Sequence, residues 1–139
     1  MVNYNTKLNM NIIETLLQAS AGLLMPSESE YPFESVYWSG QAQQELTNQK
    51  LLQLMGHPDN SPVETVELDY LFQNVAQEKE WHDEVQKVNV SRFQNLVSTL
   101  KNNLSNIKVY RVGIINLDVY IVGRAGDDLA GLSTKVVET

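Results

Sequence analysis

The stretch IKVYRVGIINLDVYIV, residues 107–122, decides the fold of this chain. It holds two runs of branched and aromatic residues, at 107–112 and 117–122, which are typical of β-strands. The four residues between the runs, 113–116, begin with glycine and end with asparagine, so we predict a hairpin loop there. Apolar side chains alternate onto both faces of these strands, and a sheet of that kind needs cover on both faces.

Amphipathic helices earlier in the chain can supply this cover. Apolar residues at three- and four-residue steps, among them Leu8, predict a first helix over residues 5–24, which Pro26 would break. Three residues are placed to cap later helices, at 48–55, 70–75 and 92–104 respectively: Thr47, Asp69 and Ser91. Gly56 is expected to end the helix that Thr47 caps.

Further strands are predicted at residues 33–38, 63–68 and 132–137, from their branched residues and flanking turn residues. The resulting order, α-β-α-β-α-α-β-β-β, predicts a mixed α/β (α+β) fold. We expect a single domain over residues 1–139, built as a three-layer α/β/α sandwich with a small, partly antiparallel sheet.

The composition limits the classes of function that the chain can have. Its 139 residues contain no cysteine, which excludes disulfides and thiolate metal sites. Ten basic and seventeen acidic residues give a net charge of −7, which argues against direct binding to nucleic acid and favours a basic partner. The polar start of the chain does not resemble a signal peptide, and no apolar run has the length of a membrane span. We therefore expect an acidic, cytoplasmic protein that does not bind membranes.

Motifs of catalysis are missing from the sequence, so we expect a protein that is not an enzyme and uses no cofactor. The glycines form neither a phosphate-binding loop nor a nucleophile elbow. The two histidines, His57 and His82, lie outside any metal-binding pattern and are expected to be surface or capping residues. A metal-assisted hydrolase that uses both histidines with nearby carboxylates stays open as an alternative.

Two acidic segments can carry function by binding. Glu28, Glu30 and Glu34 lie around a tyrosine–proline pair at a predicted turn, where short loops display side chains to solvent. Glu138 and Thr139 follow the last predicted strand and would project about 7 Å beyond the sheet, as a rigid prong with two carboxylates. The alternative interpretations are a solvated loop and a frayed chain end.

The same segments closely resemble signature sequences of the nuclease A inhibitor family: SESEYPFE (27–34), VYRVG (109–113), LDVY (117–120) and LAGLSTKVVET (129–139). The similarity covers nearly the whole chain. It implies a three-layer α/β/α fold and stoichiometric inhibition of a sugar-non-specific, Mg²⁺-dependent endonuclease of the ββα-metal type. It also implies that a monomer blocks the active site of this nuclease in a 1:1 complex.

The resemblance further assigns contact residues. In the family, a glutamate of the first segment and the C-terminal threonine reach the metal site of the nuclease. The matching residues here are Glu28 and Thr139, with Thr139 facing the nuclease metal, and Glu138 belongs to the same projecting end. Glu80 and Trp81 match a second contact region, although Trp81 has a core or helix-packing role as its alternative. An interaction module that binds another basic protein is the remaining alternative for the whole chain.

Overall fold

The computed structural model describes the backbone of residues 4–139 and the side chains of residues 11–139. Within that part the chain forms four helices: α1 (Tyr4–Ser20), α2 (Asn48–Met55), α3 (Leu68–Phe72) and α4 (Glu84–Asn103). It also forms seven strands there: β1 (Leu24–Pro26), β2 (Glu30–Pro32), β3 (Glu34–Trp38), β4 (Val63–Val66), β5 (Ser105–Val112), β6 (Asn116–Ala125) and β7 (Asp128–Val137). The predicted mixed α+β class is confirmed.

The strands form two antiparallel sheets in the described part of the chain. β1 and β2 pair as a small hairpin, and the other strands make a five-stranded sheet in the order β3-β7-β6-β5-β4. The predicted hairpin at its centre is confirmed, because β5 and β6 pair from Val112↔Asp118 back to Ser105↔Arg124. β6 and β7 are longer than predicted, since only Gly126 and Asp127 separate them.

Alternation along the strands divides the core into two clusters on opposite faces of the large sheet. On one face the strands present Val109, Val119 and Ile121 to buried residues of α1, α3 and α4: Leu16, Phe72, Phe93, Leu96 and Leu100. On the other face Tyr110, Val112, Tyr120 and Val122 pack against Leu51 and Leu52 of α2. Each fully buried apolar side chain stabilises the fold by about 1.5–3 kcal/mol. The predicted cover on both faces is thus present.

The first helix ends earlier than predicted. It stops at Ser20, and Gly22 then adopts a left-handed conformation with φ of +75°. Residues 23–25 continue the apolar pattern because two of them are buried, but they belong to the approach to β1 and to β1 itself. Pro26 is accordingly the last residue of β1 rather than a helix breaker. The side chain of Leu8 lies outside the described residues.

Two predicted helix caps are also wrong. α4 begins at Glu84, so Ser91 lies inside it, and the cap is a reciprocal pair in which Asp83 Oδ1 accepts from the Gln86 amide at 2.8 Å. The Gln86 side chain accepts from the Asp83 amide, also at 2.8 Å, and this capping box satisfies amides at the helix start. Asp69 lies within the first turn of α3, after Glu67 at the cap position.

The helix α2 has the predicted bounds and ends. Thr47 Oγ1 accepts from the Lys50 amide at 3.1 Å, and Gly56 closes the helix with φ of +73°. Both signals act locally, which is why they could be identified without knowledge of the tertiary structure. Among the described residues, no helix combines the length and the apolar character that crossing a membrane requires.

Candidate functional site

Three segments that are distant in sequence meet at one end of the five-stranded sheet. They are the β1–β2 turn (residues 27–29), the β5–β6 turn (residues 113–115) and the end of the described chain (residues 137–139). Ser27 Oγ accepts from the Val137 amide at 3.0 Å, and the Glu28 amide donates to the Val137 carbonyl at 3.3 Å. We call these three segments together the terminal cluster.

The β1–β2 turn is held rigidly within this cluster. Ser27 Oγ donates to the Ser29 carbonyl at 2.7 Å, which closes the turn with a serine side chain. Thr134 of β7 donates from Oγ1 to the Pro32 carbonyl at 2.9 Å and so fixes β2 against the large sheet. The carboxylate of Glu28 is therefore displayed from a backbone that is tied down on both sides.

Glu28 and Thr139 are in direct contact. Thr139 Oγ1 donates a hydrogen bond to the Glu28 carboxylate, although 111 positions separate the two residues in sequence. Both side chains are exposed. The pair thus presents carboxylate and hydroxyl oxygens to solvent at one point of the surface. Such oxygens can accept hydrogen bonds or complete the coordination of a hard cation that a partner holds.

Glu138 is fixed by two contacts. Its amide donates to the Ile115 carbonyl at 2.9 Å, and its carboxylate forms an ion pair with the Arg111 guanidinium. Arg111 also bonds Glu64 Oε1 at 3.0 Å, and its own side chain is only 13% exposed. Burial disfavours the charge of Arg111, but the hydrogen bond and charge of Glu138, followed by those of Glu64, raise the pKa of Arg111 above its ordinary value.

A cleft of about 560 Å³ opens beside the terminal cluster. Glu28, Arg111 and Thr139 line it on one side, and residues at the end of α3, including the exposed Tyr70, line it on the other. We call it the terminal cleft. It joins the predicted residues Glu28, Glu138 and Thr139 into one concave surface.

The β5–β6 turn adds apolar residues that the sequence analysis did not identify. Ile114 is 76% exposed and Ile115 is 50% exposed, next to the carbonyl that receives the Glu138 amide. Hairpin loops normally carry polar residues and glycine, so two adjacent isoleucines were the available signal. Adjacent exposed apolar side chains beside charged residues are typical of the centre of a protein interface.

Glu80 and Trp81 lie in the turn that precedes α4, away from the residues that line the terminal cleft. Trp81 is 73% exposed, so the alternative of a core tryptophan is wrong. Its ring meets His82 edge-on at a centroid distance of 4.4 Å, and His82 Nδ1 accepts from the Lys79 amide at 3.0 Å. His82 therefore has a capping role in this turn, as predicted, and it supports Trp81.

His57 lies within a separate network and is less exposed than predicted. Its Nε2 is 2.6 Å from the Tyr120 hydroxyl and 3.8 Å from Asp118 Oδ2, and its side chain is 17% exposed. Burial, and then the charge of Asp118, raise the pKa of Tyr120 to about 12. Among the described residues, no group of three or more histidines and carboxylates is placed to hold a metal ion. The geometry thus gives no support to a hydrolase that uses His57 and His82 together.

Comparison with known proteins identifies the family. Residues 10–139 match the family model described as nuclease A inhibitor-like protein, so the match includes every segment of the terminal cluster as well as Glu80 and Trp81. No individual curated protein matches the chain significantly. The resemblance that the sequence motifs indicated is confirmed by this match over nearly the whole chain. The chain belongs to the nuclease A inhibitor-like family.

Proposed function

We propose that this protein is a stoichiometric inhibitor of a sugar-non-specific, Mg²⁺-dependent endonuclease of the ββα-metal type. Membership of the nuclease A inhibitor-like family supports the role of a nuclease inhibitor, which acts by binding rather than by catalysis. The single observation that carries the finer proposal is the contact between Glu28 and Thr139 on the terminal cluster. A monomer would bind one nuclease, and cytoplasmic localisation stays a prediction from composition.

Blocking follows from the chemistry of the nuclease site. An enzyme that cuts any nucleic acid binds phosphate through basic side chains and a hard cation, and Mg²⁺ takes oxygen ligands at about 2.0–2.1 Å. Thr139 would supply an oxygen towards that cation where a phosphate oxygen otherwise lies. Glu28 would accept charge-assisted hydrogen bonds from basic or amide groups around it, which are about twice as strong as neutral ones.

The existing contact between Glu28 and Thr139 favours this role energetically. Binding a flexible chain end costs about 0.5–1.5 kcal/mol for each side chain that becomes ordered. Here the turn around Glu28 is already bonded to Val137, and Glu138 is already bonded to Ile115 and Arg111. Much of that ordering cost is therefore met during folding, and the two oxygen groups reach the nuclease in a prepared arrangement.

Exposed large side chains would surround this polar centre. Trp81, with Glu80 beside it, and the pair Ile114 and Ile115 offer apolar area that folding leaves in water. Buried aromatic anchors carry much of the free energy in protein interfaces. The net charge of −7 would speed the encounter with a basic nuclease, and added salt would reduce this rate.

The test is a titration of the purified protein into a Mg²⁺-dependent ββα-metal nuclease that digests plasmid DNA. We expect complete loss of cleavage at one equivalent. Glu28→Gln should weaken inhibition, whereas Glu14→Gln, which removes an exposed carboxylate on α1, is the matched control. Full cleavage in the presence of excess protein, without detectable binding to the nuclease, would overturn the proposal and favour a module for another basic protein.

A further inference from the structure

We infer that Arg111 is a positioning residue that holds the end of the chain in its binding geometry through Glu138. The inference rests on the proposed function and extends it, because it gives Glu138 an internal role in which its carboxylate orients the neighbouring Thr139 instead of serving mainly as a contact to the nuclease. Arg111 itself would not touch the nuclease metal.

The position of Arg111 in the sheet makes this possible. It lies on β5, opposite Glu64 of β4 and opposite Val119 of β6. Its guanidinium reaches the Glu138 carboxylate just after the end of β7, so the side chain extends across β6. It also lines the terminal cleft together with Glu28 and Thr139. One cation thus connects the interior of the sheet with the last residues of the chain.

The end of the chain needs such a connection. Regular pairing of β7 with β6 stops at Val137↔Asn116, and residues beyond a last strand fray unless something ties them down. The hydrogen bond between Thr139 and Glu28 is exposed, where competition with water leaves little net gain. The pair of Arg111 with Glu138 is charge-assisted, and the guanidinium is largely shielded from solvent, so salt and water weaken it less.

Glu64 provides a matched control within the same network. It binds the same guanidinium as Glu138, but from β4 rather than from the chain end. If Arg111 mattered only because it stabilises the sheet, removal of either carboxylate would have similar effects. If it orients Thr139, only the loss of Glu138 should reproduce the loss of Arg111.

The first experiment needs no nuclease. Backbone ¹⁵N relaxation of the free protein should give rigid order parameters, about 0.8, for the amides of Glu138 and Thr139. These values should fall below about 0.6 in Arg111→Gln and in Glu138→Gln, and remain rigid in Glu64→Gln. A chain end that stays ordered in Arg111→Gln, or one that loosens equally in Glu64→Gln, would overturn the inference.

The second experiment is a double-mutant cycle on the inhibition constant. Arg111→Gln and Glu138→Gln should each weaken inhibition about tenfold, and the double variant should be no weaker than either single one, because the two groups act as a unit. Arg111→Lys should restore part of the inhibition, since it keeps the charge, and Glu64→Gln should inhibit normally. Effects that multiply in the double variant would show that Arg111 does not act through Glu138.

These outcomes separate the inference from the proposed function. If the wild-type protein inhibits no nuclease, the proposed function fails and the role in binding fails with it, while the relaxation data still decide whether Arg111 orders the chain end. Circular dichroism melts accompany each variant. If Arg111→Gln does not fold, Glu138→Gln and Arg111→Lys decide the outcome, because both retain most of the network.

Discussion

Removal of Glu138 and Thr139 should separate inhibition from folding. The deletion removes the hydrogen bond from Glu138 to Ile115, the ion pair with Arg111 and the contact between Thr139 and Glu28. The backbone hydrogen bond contributes about 1 kcal/mol, and a pair with an exposed carboxylate contributes about 0–1 kcal/mol. Release of two ordered residues returns about 1–2 kcal/mol each in backbone entropy. The free energy of unfolding should therefore change by only about 1 kcal/mol.

Inhibition should respond much more strongly to the same deletion. It removes the oxygen group that would face the nuclease cation, and truncation of a central interface residue costs about 2–4 kcal/mol. At about 1.4 kcal/mol for each factor of ten, the inhibition constant should rise about 30- to 1,000-fold. The assay is inhibition of plasmid cleavage in Mg²⁺, with thermal unfolding measured in parallel. Thr139→Ser, which keeps the hydroxyl, is the matched control for Thr139→Val. A deletion variant that melts normally and inhibits with an unchanged constant would refute the proposed role of the chain end.

Three further changes test other parts of the surface and the core. Trp81→Ala should leave the melting temperature nearly unchanged, because the side chain is 73% exposed, and should weaken inhibition about 30-fold or more if it is an anchor; equal inhibition by the variant would make Trp81 a bystander. Replacement of Ile114 and Ile115 by serine should weaken inhibition without changing its dependence on salt, whereas the same replacement at Val85 and Val88, exposed on α4, should not weaken it; equal effects in the two pairs would argue against an apolar contact at the β5–β6 turn. Tyr120→Phe should flatten the alkaline pH dependence of stability: since the pKa of Tyr120 is raised to about 12 from the ordinary 10.0, its contribution is complete below pH 10 and is lost as the pH rises to 12, by up to about 3 kcal/mol. Chemical unfolding at pH 9 and pH 11.5 measures this difference, and identical losses in the variant and the wild type would contradict it.

Local signals explain which parts of the fold were predictable. Thr47 and Gly56 mark the ends of α2 by hydrogen bonds within one turn of the chain, so both ends could be identified from sequence. The start of α4 carried an equally local signal, the pair Asp83 and Gln86, but the apolar stripe further along drew the predicted start to Ser91. Periodicity shows which residues are buried more reliably than it shows where an element begins.

The small β1–β2 hairpin shows where local signals fail. Leu23 and Met25 are buried, and their spacing continues the stripe of α1 almost without interruption. Only the left-handed conformation at Gly22 redirects the chain, and glycine permits this conformation without requiring it. What selects the strand is pairing with residues 30–32, and the periodicity of a single segment carries no information about such a partner.

The candidate site was predictable only through resemblance. Glu28 and Thr139 are 111 positions apart, and no periodicity or cap relates them. Arg111 looked like an ordinary polar residue in an alternating strand, because its two carboxylate partners come from β4 and from the end of β7. Contacts of this kind depend on the register of the whole sheet, which forms only when all its strands pair.

Binding strength at this site must come from arrangement rather than from strong internal contacts. The bonds that hold the terminal cluster together lie near the surface, where each contributes about 1 kcal/mol or less to folding. Truncation of the fully buried Phe93 to alanine would cost about 3–5 kcal/mol of stability. The two regions should therefore respond in opposite ways to mutation. Changes in the terminal cluster should lower affinity with little loss of stability, because they release the chain end that the nuclease would otherwise meet already ordered. Changes under α4 should lower stability, while the molecules that remain folded inhibit normally.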